Sequence, residues 1–181
     1  AVYMVDAQDK AFVYTQSGHF IQEVHLPSPG SLSGFGGKKY SNEVFYSFET
    51  FNQPKTIYKL NLKTLISEVY QSSGIAFSPE ELVTVQLFYP SKDGTQIPMF
   101  ITHQKSVKLD HTNPTLLYAY GGFNISMQPF FSTSNIILLE NGGVYALACL
   151  RGGGEYGDEW HKAGMIENKQ NVFDDFIAGA E

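Results

Sequence analysis

The chain has 181 residues, of which 43% are hydrophobic and 17% are charged, and its formal net charge is −6 at pH 7. A charged fraction below the roughly 25% of an average globular protein excludes an intrinsically disordered chain. The acidic balance and the scattered lysines and arginines argue against nucleic acid and anionic membrane surfaces as partners. An aromatic content of 14% favours strands over helices, because flat rings pack well on a pleated sheet.

The single cysteine and the apolar runs bear on the cellular setting of the protein. Cys149 lies in the apolar stretch 144–150, so we interpret it as a buried small side chain. No apolar run approaches the roughly 20 residues of a membrane helix, and the first residues lack the pattern of a signal peptide. We therefore expect a soluble, cytoplasmic protein. Because the chain opens in a strand-like alternation and closes in a helical pattern, we also expect it to be a piece of a longer protein.

Residues 1–75 show short β runs separated by turn residues, at 12–14, 20–24, 43–48, 56–60 and 66–70. Runs of this length and spacing are typical of the antiparallel meanders of a sandwich, a barrel or propeller blades. The stretch from Ser31 to Tyr70 has about the length of one four-stranded propeller blade, which is roughly 40 to 50 residues. We predict that residues 1–75 form partial β-propeller blades, with a boundary to the next domain near residues 72–80.

From residue 76 to residue 181 the pattern changes to that of an α/β domain. Alternating runs on either side of the turn residues 92–94 predict a β-hairpin from residue 82 to residue 103. Apolar strands at 115–120 and 144–150 flank a predicted helix from Ser132 to Glu140. Strands of this kind next to a helix are typical of an α/β sheet that is buried on both faces.

The last segment of the sequence predicts an amphipathic helix. Apolar residues recur there at helical spacing, at Phe173, Phe176, Ile177 and Ala180. Asn171 could cap this helix. Asp174 and Asp175 would then lie in its first turn, where the helix dipole favours carboxylates without any catalytic role.

Gly152, Gly154 and Gly157 match the G-x-G-x-x-G pattern of dinucleotide-binding loops, directly after a predicted strand. The carboxylates that follow in the sequence, at Glu155 and Asp158, would repel a pyrophosphate. We therefore favour a structural loop in which glycine lets the backbone pass close to neighbouring elements. We expect Arg151 to hold this loop by hydrogen bonds to backbone or to an acid.

Four residues near this loop could in principle hold a divalent cation through oxygen and imidazole ligands: Glu155, Asp158, Glu159 and His161. Adjacent carboxylates in a glycine-rich loop are more often solvated. We therefore predict no metal and no other cofactor.

The sequence contains no G-x-S-x-G pentapeptide, which is the pattern that presents a nucleophilic serine on an α/β sheet. The nearest string, Gly30 to Gly34, carries Leu32 at its centre and lies in the β-rich part. The α/β part thus has the strands of an α/β sheet but no nucleophilic serine in this pattern.

Four strings from residue 85 onward resemble the prolyl oligopeptidase family of serine peptidases, and its prolyl-specific members most closely: VQLFYPSKDGTQIPMFI, LLYAYGGFNIS, LRGGGEYGDEWHKAG and NKQNVFDDF. The resemblance implies a seven-bladed propeller covering an α/β-hydrolase domain, of which residues 1–75 and 76–181 would be parts. It also implies cleavage of short peptides after proline by a Ser–His–Asp triad. All three triad positions would lie beyond residue 181.

Two residues of this chain match functional positions of the family. The resemblance implies that Tyr120 donates its hydroxyl to the oxyanion of the tetrahedral intermediate. It also implies that Phe123 forms one wall of the apolar pocket for the substrate's proline ring. Without the resemblance, Tyr120 would be read as a strand-end tyrosine that bonds to backbone, and Phe123 as an ordinary core residue.

Two hypotheses of function follow from these observations. In the first, the chain is part of a serine-type prolyl oligopeptidase. We expect the full-length protein to be active and this chain alone to be inactive. We also expect short proline-containing peptides as partners and a monomeric full-length protein. The second is a β-propeller-type binding or interaction module with an inactive hydrolase remnant.

Overall fold

The structure is a computed structural model that describes residues 1 to 181. The chain divides into two compact units. The first unit comprises Ala1–Phe77 and Pro129–Phe131, and the second comprises Ser78–Gln128 and Ser132–Glu181. The division into domains at residues 75 and 76 of a complete protein stays a prediction.

The first unit consists of strands, in the order β1 Val2–Val5, β2 Gln8–Tyr14, β3 Phe20–Glu23, β4 Ser31–Gly36, β5 Glu43–Thr50, β6 Gln53–Asn61 and β7 Ser67–Gln71. Strands β1 to β3 form one antiparallel sheet, and strands β4 to β7 form a second one in which each strand pairs with the next along the chain. This order is that of a four-stranded propeller blade. The predicted antiparallel blades are therefore confirmed.

Alternation along β5 places Tyr46 and Phe48 on the buried face of the blade, where they pack with Leu60. The Tyr46 ring stacks on Tyr58 with 5.3 Å between ring centroids. Because side chains on a strand point to opposite faces in turn, the period of two seen in the sequence is sufficient to produce this core.

The second unit contains β8 Leu82–Pro90, β9 Gln96–Gln104, β10 Thr115–Ala119 and β11 Val144–Ala148, with helices α1 Thr133–Glu140, α2 Asp158–Lys162 and α3 Lys169–Ala180 and 3₁₀ turns at Pro79–Glu81 and Ile166–Asn168. The sheet order is β10–β11–β9–β8, in which β8 and β9 form the predicted hairpin. Strands β10 and β11 are parallel, and α1 lies between them in the chain. All five residues of β11 are buried, as expected for a strand covered on both faces.

The last helix differs from its prediction. The 3₁₀ turn at 166–168 leads directly into α3, so the helix begins at Lys169 and Asn168 occupies the N-cap position. The predicted cap by Asn171 is therefore wrong, and the Asn171 amide instead donates to the carbonyl of Ala163 at 2.9 Å. The earlier start also moves Asp174 and Asp175 out of the first turn, so their assignment to the helix dipole is wrong.

The buried residues of α3 are Val172 and Asp175, whereas most of the predicted apolar face is exposed within this chain. The exposed fractions of Phe173 and Ile177 are 53% and 54%. The helix is turned in this way because Asp175 is held by a buried ion pair, which is described below. None of the helices has the length and apolar character that crossing a bilayer requires.

Candidate active site

The candidate site lies where two parallel strands end. Strand β10 ends at Ala119 and strand β11 ends at Ala148, and the two are paired in parallel register. Their carboxyl ends therefore meet at one edge of the sheet, which is the edge where α/β proteins place functional groups. The loops that follow, residues 120–128 and 149–157, carry both of the predicted site residues and the glycine-rich loop.

The loop after β10 contains a tight turn with unusual backbone angles. The amide of Ile125 donates to the carbonyl of Gly122 at 3.0 Å, and both central residues have positive φ, 52° at Phe123 and 57° at Asn124. Two positive φ angles inside such a four-residue turn indicate type I′ geometry. Side chains at these angles cost about 1–3 kcal/mol each, so the surrounding structure must hold the turn in place.

This turn presents an aromatic pair to solvent. The rings of Tyr120 and Phe123 lie 6.5 Å apart between centroids, with 32° between their planes. Tyr120 is 44% exposed and Phe123 is 83% exposed. The Tyr120 hydroxyl makes no hydrogen bond within the chain, so the alternative of a strand-end tyrosine bonded to backbone is not what the structure shows. Phe123 is likewise not a core residue of this chain.

The glycine-rich loop packs directly against this turn. A Cβ atom on Gly152 would lie 2.7 Å from the carbonyl oxygen of Gly121, and one on Gly154 would lie 2.7 Å from that of Asn124. Real Cβ contacts of that length essentially do not occur, so any side chain would displace the turn. The geometry supports the interpretation that these glycines allow close approach of backbone.

Arg151 holds the base of the glycine-rich loop, as predicted. Its guanidinium donates to the carboxylate of Asp175 from Nε and Nη2 and to Asp93 from Nη1 at 2.6 Å. The hydrogen bonds and charges of these two carboxylates raise the pKa of Arg151. In turn, the hydrogen bond from Arg151 lowers the pKa of Asp93 to about 2.

Two side chains, those of Lys169 and His161, hold the backbone of the site at carbonyl groups. Lys169 Nζ donates to the carbonyl of Gly121 at 2.8 Å. His161 Nδ1 lies 2.7 Å from the carbonyl oxygen of Gly152, which also accepts the amide of Asn124 at 3.1 Å. The sequence pattern indicated His161 only as a possible metal ligand and gave no role to Lys169. Their partners are backbone carbonyls, which every residue carries, so such pairs leave no pattern in the residue types.

The four residues considered for a metal do not converge. His161 bonds to Gly152, while Asp158 and Glu159 are exposed and pair with Lys162 at 2.6 and 3.6 Å. No group of three potential ligands in the chain could hold a metal ion.

Glu155 differs from the expected solvated carboxylate, because it is buried with 5% exposure. Its Oε1 accepts the amide of Met127 at 2.7 Å, and its Oε2 has no hydrogen-bond partner. Burial raises the pKa of the Glu155 carboxyl, against the lowering effect of the Met127 amide. Cys149 is buried as predicted, and desolvation raises the pKa of its thiol.

Comparison with known proteins places both units in one family. The family model described as the N-terminal β-propeller domain of prolyl oligopeptidase matches residues 1–73, and that described as the prolyl oligopeptidase family matches residues 129–181. The prolyl endopeptidase of Elizabethkingia meningoseptica is 51% identical over 181 residues, which is 100% of this chain and 26% of that protein. The prolyl endopeptidase of Dictyostelium discoideum is 39% identical over 183 residues, or 99% of this chain and 24% of that protein.

Solved structures agree with this assignment. A structure from work on two prolyl endopeptidases matches with a TM-score of 0.90 at 45% identity, and prolyl oligopeptidase B of Galerina marginata bound to a 25mer macrocyclization substrate matches with 0.91 at 36% identity. Each match covers 99% of this chain and 26% of the other. The chain thus spans about a quarter of the length of these relatives. Its sequence and its fold show that the chain belongs to the prolyl oligopeptidase family.

Proposed function

We propose that the complete protein containing this chain is a serine-type oligopeptidase that cleaves short peptides on the carboxyl side of proline. The observation that carries the proposal is the aromatic pair at the carboxyl edge of the sheet, Tyr120 with an unbonded hydroxyl and Phe123 with an exposed ring. It is supported by the family membership and by the similarity to prolyl endopeptidases along the whole chain.

The role proposed for Tyr120 follows from the chemistry of acyl transfer. Attack on a peptide carbonyl places negative charge on its oxygen, and a preorganised donor at that point lowers the barrier. The Tyr120 phenol comes directly after strand β10 and has no competing hydrogen bond within the chain. The Tyr120 hydroxyl can therefore donate a hydrogen bond to an oxyanion without first breaking another hydrogen bond within this chain.

The role proposed for Phe123 is that of an apolar wall. A proline ring has no side-chain polar group to recognise, so a pocket selects it by shape and by contact with apolar surface. The Phe123 ring is 83% exposed and stands 6.5 Å from that of Tyr120, so a proline held against it would lie next to the oxyanion donor.

The nucleophilic serine, the histidine and the aspartate would come from the part of the complete protein outside these 181 residues. In such a triad the serine attacks, the histidine transfers the proton and the aspartate orients the histidine. This mechanism requires no metal and no cofactor. We further propose that the complete protein is monomeric and cytoplasmic.

Hydrolysis by the purified complete protein tests the proposal. Turnover of a chromogenic peptide with proline before the leaving group, much weaker turnover of its alanine counterpart, and covalent labelling by a fluorophosphonate are the expected results. Residues 1–181 alone, prepared in parallel, should give neither turnover nor labelling. A folded complete protein that binds proline peptides but neither cleaves them nor reacts with the fluorophosphonate would favour the binding-module alternative.

A further inference from the structure

We propose that His161 is a positioning residue for the apolar wall formed by Phe123, an inference that rests on the peptidase activity proposed above. The His161 side chain is partly buried. It acts through the carbonyl group of Gly152, which holds the turn that carries Phe123.

The distances identify which atom of His161 carries the proton. A carbonyl oxygen can only accept, so the 2.7 Å separation between His161 Nδ1 and the Gly152 oxygen requires a hydrogen on Nδ1. With that hydrogen in place, Nδ1 cannot accept from the Asn124 amide, although the two nitrogens lie 3.1 Å apart. The Asn124 amide donates to the Gly152 oxygen instead, also at 3.1 Å. Two donors therefore converge on one carbonyl oxygen.

Gly152 itself is held at both ends by consecutive residues of α2. Its amide donates to the carbonyl of Trp160 at 3.0 Å, and its carbonyl accepts from His161. A side chain at Gly152 would meet the oxygen of Gly121 at 2.7 Å. The Gly152 peptide is thus fixed by α2 on one side and lies against Gly121, the residue before the turn, on the other.

The turn depends on such an anchor. Phe123 and Asn124 both have left-handed backbone angles, which cost about 1–3 kcal/mol each and persist only where neighbours hold them. Phe123 is 83% exposed, so packing around its ring contributes little to holding it. The hydrogen bond from the Asn124 amide to the Gly152 carbonyl links the turn to the glycine-rich loop. If that link loosens, the Phe123 ring samples other positions and the wall loses its shape.

Three substitutions in the complete protein separate this role from a general effect on stability. H161N places an amide nitrogen close to the position of Nδ1 and keeps the donor to Gly152, whereas H161Q places its nitrogen farther out and H161L has none. Lys162→Met is the matched control, because Lys162 is the next residue of α2 and its ion pairs are exposed.

For H161Q and H161L we expect kcat/KM on the proline reporter to fall about 10-fold, mainly through KM, and the proline-to-alanine ratio of kcat/KM to fall about fivefold. H161N and Lys162→Met should keep both values within about twofold. A purely structural role would lower the melting temperature and leave the ratio unchanged.

Hydrogen exchange at the Asn124 amide gives a readout that does not depend on turnover. Exchange should be about 10-fold faster in H161Q and H161L than in the wild type and H161N. The proposal would be overturned by unchanged exchange and selectivity in H161Q, or by an equal loss in H161N. If H161L does not fold, H161N and H161Q still make the comparison.

A folded wild-type protein without any post-proline cleavage would refute the proposed function, while the exchange measurement would still decide the role of His161.

Discussion

Arg151 and Asp175 form a buried ion pair that joins the glycine-rich loop after strand β11 to helix α3. The Arg151 side chain is 6% exposed and that of Asp175 is 0% exposed. Arg151 Nη2 lies 2.5 Å from Asp175 Oδ1 and Nε lies 3.0 Å from Oδ2, while the Arg151 amide also donates to Oδ2 at 3.2 Å. The same guanidinium reaches Asp93 in the β8–β9 turn, so one cation connects the hairpin, the glycine-rich loop and the last helix.

Replacing Arg151 with Met should strongly destabilise the complete protein. The substitution leaves the Asp175 carboxylate buried without a counter-charge, which typically costs about 3–5 kcal/mol of unfolding free energy. Urea unfolding followed by circular dichroism measures the loss. The double variant R151M/D175L should recover most of it, because no buried charge remains. A loss below about 1 kcal/mol in R151M would show that the pair does not hold these elements together.

Asp93, the more exposed partner of Arg151, should contribute to the free energy of unfolding in a way that is lost in acid. Asp93 is 48% exposed, and its pKa is lowered from 3.8 to about 2 by the hydrogen bond from Arg151. A carboxylate with a lowered pKa in the folded state stabilises the fold above its unfolded pKa and stops doing so as the pH falls through the folded one. Between about pH 4 and pH 2 the wild type should therefore lose more stability than D93N. Parallel stability curves for the two proteins over that range would contradict the pairing.

Glu155 should show the opposite dependence on pH. Burial raises the pKa of its carboxyl, so the folded state favours the protonated form. The stability from this group is present at low pH and is lost as the pH rises through the raised pKa. Glu155→Gln keeps the shape and the acceptor for the Met127 amide, so its stability relative to the wild type should grow from pH 5 to pH 8. Denaturant midpoints at both pH values test this, and a constant difference would mean that Glu155 does not titrate in that range.

The elements of the fold could be read from local patterns, whereas the contacts that build the site could not. Alternation on β5 and the turn between β8 and β9 each depend on residues close in sequence, so periodicity was enough to predict them. The start of α3 was missed because the 3₁₀ turn before it has no strong residue signature. A backbone or acid partner for Arg151 was expected, but the identity of that partner as Asp175 depends on how α3 packs on the sheet.

The site residues show the same limit. Tyr120 and Phe123 were found by resemblance to a family, and their place after a strand made the roles physically reasonable. The roles of Lys169 and His161 were not predicted, because both side chains bond to backbone carbonyls that any residue could supply. Glu155 was expected in solvent because it is one of several carboxylates in a glycine-rich loop, and only the fold shows that it is buried.

Phe123→Ala in the complete protein should weaken substrate binding. Removing the ring takes away apolar contact that is made in both the ground state and the transition state, so KM should rise while kcat changes little. The free energy of burying a phenylalanine side chain corresponds to a rise in KM of about 10- to 100-fold for a proline reporter. Steady-state kinetics measures both constants. An unchanged KM would mean that Phe123 does not form a wall of the proline pocket.

Tyr120→Phe tests the central claim most directly, because it keeps the ring and removes only the hydroxyl. The hydroxyl has no partner within this chain, so the unfolding free energy should change by less than about 0.5 kcal/mol. Single-turnover kinetics on a proline reporter isolates the acylation step, so product release cannot hide the effect. We expect the acylation rate to fall about 10²- to 10³-fold with little change in substrate affinity. A wild-type acylation rate in the folded variant would contradict the role of Tyr120 as the oxyanion donor.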